Sequence, residues 1–449
     1  MRCLVFVGLI LCASFEATAD DNWPQFRGHH SSGIGSGHPP ARWDVTSGNN
    51  IEWKTKIDGL GHSAPVVWGD RVFLTTAISD QTDTPVLRTG RVGGNGESAD
   101  EKGDWKWAVL SIDLNSGEID WTREVAQGVP GIKRHIKASH ANCTAATNGQ
   151  FVVAFFGSEG LYCLDMAGNV VWKKDFGRLH SGPYDAPKLE WGFASSPVIH
   201  NDKVVVQCDC LNTAFIMILD LATGEEIRRI KRDDVATWST PLIVSTEEGT
   251  QIVANGYRSM AGYDIESGER LWFLKNGGDV PVPTPLFANG LILLTNGHGR
   301  TPTYAVLPSA QGELTPTRGG DELPSGLKWW QPRDGSYIPT PLVKDDLLYT
   351  CNDSGRLTVR NALTGTLVYR ARMNSGTDTF TASAVASGDH LYFSGESGEV
   401  HVVQTGREFK LIARNQMNDS IMATPAITKD RLLIRTARHL FCIRPDTTQ

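Results

Sequence analysis

The sequence predicts an all-β fold, an eight-bladed β-propeller of four-stranded antiparallel blades. One hairpin phrase recurs along the chain, and a phrase of small residues and proline recurs out of phase with it. The 449 residues include 46 glycines and 13 tryptophans, a composition that suits many turns and many packed sheets. Four short strands repeated every roughly 40 to 55 residues are typical of propeller blades.

The hairpin phrase is "YDIESGERLW" at residues 263–272, and similar phrases end at Trp121, Trp172 and Tyr369. Its Ser-Gly or Thr-Gly corner supplies the positive φ that a tight hairpin needs. A tryptophan four residues after the glycine can bury a large area, so we expect it to pack one blade against the next. Each phrase therefore predicts the two outer strands of a blade.

The second phrase predicts the innermost strand of each blade. Proline cannot donate to a sheet ladder, so it belongs on an edge strand, and the innermost strand is an edge facing the central channel. Small side chains suit a crowded axis. Eight copies occur, of which those at 141 and 381 lack the proline: 62–67, 141–146, 194–199, 238–243, 282–287, 338–343, 381–386 and 422–427.

The two ends of the repeat array complement each other. The eighth repeat stops at "HLFCIRPD", one strand short, whereas residues 50–57 form an unassigned strand that carries Trp53. We expect this N-terminal strand to complete the last blade. The propeller then spans residues 50–449, and residues 20–49 are an N-terminal extension.

Residues 1–19 are predicted to be a signal peptide. One arginine precedes an apolar run, and Ala17-Thr18-Ala19 provides a small-residue cleavage site near Ala19. A lipid anchor at Cys12 is an alternative, although Leu11 is larger than a lipobox accepts. No other stretch is apolar enough to span a bilayer. We therefore expect a periplasmic or secreted protein, and a net charge of −7 without a basic block excludes the nucleic-acid-binding class.

Six cysteines follow the predicted signal peptide, and their disulfide pairing is left open. Cys163 and Cys442 occupy matching apolar strands and are expected to be free and buried. Cys208 and Cys210 in "QCDC" would share one face of a strand, where a bridge between them would be strained. They lack a visible second pair of ligands for zinc.

Residues 79–104 form a polar, glycine-rich insertion between the two middle strands of the first blade. We expect a mobile loop. Such a loop is either a lid or binding arm, or a decoration without a function.

Several stretches resemble the PQQ-like β-propeller repeat proteins, from about residue 22 to the end of the chain. They include "WPQFRG" at 23–28, "GHSAPVVWGDRVFLTTA" from Gly61, "FASSPVI" from Phe193 and "WSTPLI" from Trp238. The pattern is most similar to secreted eight-bladed members that are frequent in planctomycete bacteria. It more distantly resembles the periplasmic propeller lipoprotein of outer-membrane assembly and the quinoprotein alcohol dehydrogenases. The resemblance implies a fold and says little about activity, since the repeated phrase packs blades together.

The quinoprotein resemblance implies PQQ bound over a tryptophan, against a disulfide of adjacent cysteines, with Ca²⁺ held by carboxylate and amide ligands. This sequence has no adjacent cysteines; Cys208 and Cys210 come nearest. We therefore predict no catalytic, cofactor-binding or metal-binding residues and no cofactor. PQQ with Ca²⁺ remains an alternative.

A candidate ligand site is predicted at one mouth of the channel. His62 opens the inner strand of the first blade and His140 precedes that of the second, while Trp191 and Trp238 stand at the third and fourth. Such residues either bind a ligand or line a solvated funnel. We expect a monomeric, non-catalytic binding or scaffold module with a protein or cell-envelope ligand. The alternative is a PQQ-dependent oxidoreductase or another enzyme with an unrecognised site.

Overall fold

A computed structural model describes residues 21–83, 85–93, 96–317, 322–373 and 378–446. The predicted signal peptide lies outside these residues. In the described part of the chain the strands form eight sheets with consecutive strands side by side, which confirms the eight-bladed propeller. No helix among the described residues is long and apolar enough to cross a membrane.

Each blade contains four antiparallel strands, numbered from the channel outward except that β1 is the outermost strand of the eighth blade. Two short 3-10 helices occur at His29–Ser31 and Gly157–Glu159. Blades one to four contain β2 Val66–Trp68, β3 Arg71–Ser79, β4 Trp105–Asp113, β5 Ile119–Gly128; β6 Ala146–Thr147, β7 Phe151–Phe155, β8 Leu161–Asp165, β9 Val170–Lys174; β10 Val198–His200, β11 Lys203–Asp209, β12 Ala214–Asp220, β13 Glu226–Lys231; and β14 Leu242–Thr246, β15 Gly249–Ala254, β16 Ser259–Asp264, β17 Arg270–Lys275. Blades five to eight contain β18 Leu286–Ala288, β19 Leu291–Thr295, β20 Thr303–Val306, β22 Leu327–Gln331; β23 Leu342–Lys344, β24 Leu347–Cys351, β25 Arg356–Asn361, β26 Leu367–Arg372; β27 Val385–Ser387, β28 His390–Ser394, β29 Glu399–Gln404, β30 Leu411–Gln416; and β31 Ala426–Thr428, β32 Arg431–Arg435, β33 His439–Ile443, β1 Ile51–Lys56.

The N-terminal strand β1 closes the ring, as the sequence predicted. It pairs antiparallel with β33, and Trp53 stands opposite Cys442 in the register. The Trp53 indole also lies against Gly117 of the first blade, and its Nε1 donates a 2.8 Å hydrogen bond to the Leu114 carbonyl. The ladder between β1 and β33 thus completes the eighth blade, and Trp53 joins that blade to the first.

The tryptophan of the fourth blade packs towards the fifth blade, as the sequence predicted, but its hydrogen bond stays within its own sheet. Trp272 shares a core cluster with Ile292 and Tyr304 of the fifth blade, and its Nε1 donates to Gln251 Oε1 at 2.8 Å. A fifth strand, β21 at Gly312–Glu313, runs parallel to β17 at the outer edge of this blade, with Gly312 opposite Trp272 in the register.

The N-terminal extension crosses the channel on the side opposite the inner-strand starts. Trp23 pairs with Val67 of the first blade, and Ile34 pairs with Ala386 of the seventh. Between them Arg27 is fully buried and donates to the Pro341 carbonyl at 2.8 Å and the Ala384 carbonyl at 2.9 Å. Burial without a carboxylate partner lowers the pKa of Arg27 to about 9. The extension therefore plugs one end of the channel.

Candidate functional site

A cavity of about 630 Å³ occupies the channel mouth at the end where the inner strands begin. We call this cavity the cup, and all eight blades contribute residues to its wall. The contributing inner-strand positions are His62, Thr144, Ser196, Thr240, Thr284, Thr340, Ser383 and Thr424.

A ring of hydroxyl groups joins the blades around the cup. The acceptor is the side-chain hydroxyl of the residue before the inner-strand proline, or of the matching residue where the proline is missing. It accepts a hydrogen bond from the backbone N–H at the same position of the preceding blade. Thr144 Oγ1, for example, accepts from Ala64 N at 2.9 Å, and Ser383 Oγ accepts from Thr340 N at 2.9 Å. Six such links are present among the described residues, with acceptors Thr144, Ser196, Thr240, Thr340, Ser383 and Thr424.

The ring has two gaps with different causes. Thr284 Oγ1 is buried and has no hydrogen-bond partner, so the fourth and fifth blades lack this link. Ala64 has no hydroxyl, and Arg435 joins the eighth blade to the first instead, donating to Ser63 Oγ at 2.6 Å and to the Thr75 carbonyl at 2.8 Å.

The floor and the roof of the cup come from outside the repeats. Phe26 of the extension lines the cavity at its closed end. Gly90, Arg91, Val92 and Gly96 of the long β3–β4 loop line the other side. Because the extension blocks the far end of the channel, a ligand can enter the cup only through the mouth.

Described residues of the β3–β4 loop contact the rest of the ring, and the expectation of a mobile loop stays a prediction. Arg134 is fully buried; it pairs with Glu101 and donates to the Val86 carbonyl at 2.7 Å. Gly90 N donates to Glu396 Oε2 of the seventh blade at 2.8 Å. The loop therefore reaches from the first blade across the mouth to the seventh.

A buried ion pair holds the tip of this loop. Lys137 Nζ lies 2.8 Å from Glu396 Oε1 and donates to the Gly90 carbonyl, also at 2.8 Å. The Glu396 side chain is only 1% exposed, and it also accepts from Thr381 Oγ1. The two charges compensate each other inside the cup, since each is close to the other and shielded from water.

Three of the four predicted site residues line the cup: His62, Trp191 and Trp238. Trp191 stacks at a tilt against Trp238 with ring centroids 5.5 Å apart, and His135 meets Trp191 edge-on at 5.5 Å. Trp238 is oriented by its Nε1, which donates to the Gly192 carbonyl at 2.8 Å. Together His135, Trp191 and Trp238 form a continuous aromatic wall.

His140 is not among the residues that line the cup. Its side chain is 6% exposed and packs edge-on against Trp105 at 4.8 Å, with Nε2 3.4 Å from Glu101. Burial lowers the pKa of His140, and the Glu101 carboxylate opposes this shift. His140 therefore supports the base of the β3–β4 loop.

Two of the three histidines that line the cup, His62 and His135, are neutral near pH 7; the third is His298. Burial, helped by the Arg435 charge, lowers the pKa of His62 to about 4. Burial and the neighbouring Lys137 and Arg134 charges lower the pKa of His135 to about 4. The cup therefore offers these rings as uncharged surfaces.

The residues of the cup do not fit PQQ with Ca²⁺ as the quinoprotein resemblance describes it. Its described lining carries two carboxylates, Asp353 and Glu396, and the latter is already engaged by Lys137. No group of three or more potential metal ligands occurs among the described residues. Cys208 and Cys210 are buried, unpaired and outside the lining, so they provide no disulfide platform.

All six cysteines that the structure describes are free and buried, which confirms the expectation for Cys163 and Cys442. Sequence reasoning named no role for several contributors to the cup, among them Phe26, Arg91, Lys137 and Glu396. Phe26 stood in the noted motif "WPQFRG" and Arg91 in the noted insertion 79–104. The Ser or Thr of the inner-strand phrase was noticed for its size, whereas its hydroxyl is the part that joins blades.

A PQQ-like repeat family model, described as outer membrane protein assembly factor BamB, matches residues 41–182 and 212–449. The chain belongs to this family. As a BamB-family member it confirms the PQQ-like propeller resemblance of the sequence. The matched ranges omit Phe26 on the floor and Trp191 in the wall, so family membership says nothing about these two features.

The solved structures similar to this BamB-family chain show its fold alone. A quinohemoprotein alcohol dehydrogenase from Comamonas testosteroni aligns with a TM-score of 0.63 and 11% identity, over 96% of this chain and 83% of that one. The C-terminal WD40 domain of Sif2 aligns with a TM-score of 0.51 and 10% identity, over 81% and 98%. BamB from Moraxella catarrhalis aligns over 89% and 98% with 13% identity and a TM-score of 0.41. No curated protein matches the sequence.

Proposed function

We propose that this protein is a monomeric, non-catalytic binding and scaffold module of the cell envelope or periplasm. It engages a protein or cell-envelope ligand through the face that carries the cup. The observation that carries the proposal is a cavity of about 630 Å³, open at one end, to which all eight blades contribute. A concave, preformed cavity with a few polar groups is the usual form of a ligand site.

Two further features support binding rather than chemistry. The ion pair between Lys137 and Glu396, with Nζ and Oε1 2.8 Å apart, already serves to hold the tip of the β3–β4 loop. His62 and His135 are held neutral by burial, and neither hydrogen-bonds to a nucleophilic side chain in the described structure. The family description, which names an assembly factor, agrees with a role in engaging other molecules.

Filling the cup tests this proposal. Ala194 lines the cup and is half-buried, so Ala194→Trp should occupy the cavity from the third blade. Ala222→Trp is the matched control, because Ala222 lies in an exposed turn of the same blade. Each variant is crosslinked in cell-envelope extract of the producing organism, and the partners are identified by mass spectrometry.

We expect Ala194→Trp to reduce recovery of a specific partner at least about tenfold, while Ala222→Trp matches the wild type. Equal recovery with Ala194→Trp and wild type would contradict a role of the cup. Titration of the purified protein with PQQ and Ca²⁺ tests the competing oxidoreductase hypothesis. A saturable change in the absorbance of PQQ would support the oxidoreductase hypothesis and contradict the binding-module proposal.

A further inference from the structure

The aromatic wall of the cup presents flat apolar faces beside open space. Trp191 and Trp238 are both half-buried. An indole face carries partial negative charge, so it attracts the weakly positive C–H groups on the face of a sugar ring. A pyranose stacked on this wall presents such C–H groups.

The hydroxyl ring beneath the wall has unused donors. Each of its six hydroxyls accepts one backbone N–H bond, and none donates to a protein atom in the described structure. Thr284 Oγ1 and Thr379 Oγ1, which also line the cup, are buried without any partner. A ligand dense in oxygen acceptors would satisfy these groups, because a hydroxyl needs an acceptor for its proton.

The charges of the cup favour a neutral ligand. Lys137 and Glu396 neutralise each other at 2.8 Å, and His62 and His135 are uncharged near pH 7. The remaining ionisable residues of the lining are Arg91, Asp353 and His298, of which Arg91 and Asp353 have opposite signs. No net charge therefore selects an ionic ligand.

The closed floor sets how such a ligand enters. Phe26 lines the blocked end, so an extended polymer cannot thread through the channel and only a chain end fits. A volume of about 630 Å³ lies within the roughly 300–1,000 Å³ range of small-ligand pockets. This is enough space for one or two sugar rings.

We infer that the cup binds the end of a neutral saccharide, one or two pyranose rings long, stacked on Trp191 and Trp238. The inference rests on the proposed function, for which it names the ligand class. The saccharide is either free in the medium or the end of an envelope glycan, since both present the same chemistry.

Isothermal titration of the full mature chain with cellobiose, maltose, lactose and N,N′-diacetylchitobiose tests the inference. We expect single-site binding of at least one of them with Kd below ~10 mM. Trp191→Ala and Trp238→Ala should each weaken it at least about tenfold. Trp330→Ala is the matched control, because Trp330 is half-buried on the fifth blade outside the cup. Near-ultraviolet circular dichroism checks that each variant is folded.

Absence of binding by all four sugars overturns the inference, and so does binding that neither Trp191→Ala nor Trp238→Ala weakens. Tighter binding of glucuronic acid than of glucose would contradict the inference that the ligand is neutral. Preference for a glycan-bearing envelope fraction over free disaccharide would identify the source and support the class.

The two proposals fail differently. If Ala194→Trp abolishes partner recovery but no sugar binds, the ligand class is wrong and the binding function stands. If the sugars bind but Ala194→Trp leaves partner recovery unchanged, the saccharide inference stands and the partner-binding proposal fails.

Discussion

The indole of Trp172 lies against Gly224 of the next blade, and its Nε1 donates a 2.9 Å hydrogen bond to the Leu221 carbonyl. A Cβ added at Gly224 would stand 2.6 Å from the indole ring. The same contact recurs for the pairs Trp53–Gly117, Trp121–Gly168 and Trp329–Gly365. Each of these four glycines thus serves its own turn and the outer tryptophan of the preceding blade.

Gly224→Ala should destabilise the protein by about 2–4 kcal/mol, because the methyl group meets the indole and the backbone is strained. Gly312→Ala is the matched control: both glycines have φ of +73°, but nothing lies within 4 Å of a Cβ at Gly312. It should cost about 1 kcal/mol from backbone strain alone. The free energy of unfolding in urea checks both values. Equal costs would mean that the indole contact contributes nothing.

The hydroxyl ring can be tested with two nearly isosteric changes. In the wild type, Thr284 N donates to Thr340 Oγ1 at 3.0 Å. Thr340→Val removes this acceptor and should lower the free energy of unfolding by about 1–3 kcal/mol, because a buried N–H is left unpaired. Thr284→Val removes a hydroxyl without a partner and should change stability by less than about 0.5 kcal/mol. Thermal unfolding of the two variants gives the comparison. A larger loss for Thr284→Val would contradict the ring.

Arg27 is predicted to hold the plug in the channel. Arg27→Met leaves the Pro341 and Ala384 carbonyls unpaired and should cost about 3 kcal/mol. Arg42→Met is the control, since Arg42 is exposed and donates a 2.6 Å bond to the Ile412 carbonyl from the same extension; it should cost less than about 0.5 kcal/mol. Limited proteolysis should cut the extension faster in Arg27→Met only. Unchanged cleavage would contradict the anchor.

Stability should depend on pH through the histidines of the cup. The pKa of His135 is about 4 in the fold and ordinarily about 6.5, so between these values the unfolded chain binds a proton that the folded chain does not. Stability is therefore lost as pH falls from about 6.5 towards 4. His135→Gln should gain about 1–2 kcal/mol relative to wild type between pH 7.5 and pH 5, measured by urea unfolding.

Glu159 should act with the opposite sign. Burial raises its pKa to about 7, above the ordinary value near 4.5, so the folded chain retains a proton that the unfolded chain releases. Stability is then lost as pH rises from about 4.5 to 7. Glu159→Gln can still accept from Gly131 N and should gain stability relative to wild type as pH rises. Parallel responses of His135→Gln and Glu159→Gln would contradict the assigned burial of one of them.

The fold was predictable because its determinants are local and repeated. The glycine corner and the proline strand recur once per blade, so a copy that departs from the pattern does not obscure the length of the repeat. The missing strand after "HLFCIRPD" and the spare strand around Trp53 together predicted the β1–β33 pairing. The added strand β21 beside Trp272 was not predictable, because it is a two-residue piece without a pattern of its own.

The candidate site was only partly predictable. Proximity to the start of an inner strand correctly suggested His62, Trp191 and Trp238 as neighbours. His140 stands earlier in its repeat than His62, before the inner-strand phrase begins, and its side chain packs against Trp105 and Glu101 under the loop. A one-residue difference in strand position decides which face a side chain takes, and single-sequence reasoning does not resolve it.

The sequence by itself determined the number of blades, their order and the closure of the ring, since these follow from turns and strand patterns within short windows. Only the tertiary structure decided that the channel is a cup. Its floor at Phe26, its loop tip at Gly90 and its ion pair between Lys137 and Glu396 come from segments separated by up to hundreds of residues. Their meeting depends on ring closure and on inter-blade hydrogen bonds, which no local pattern encodes.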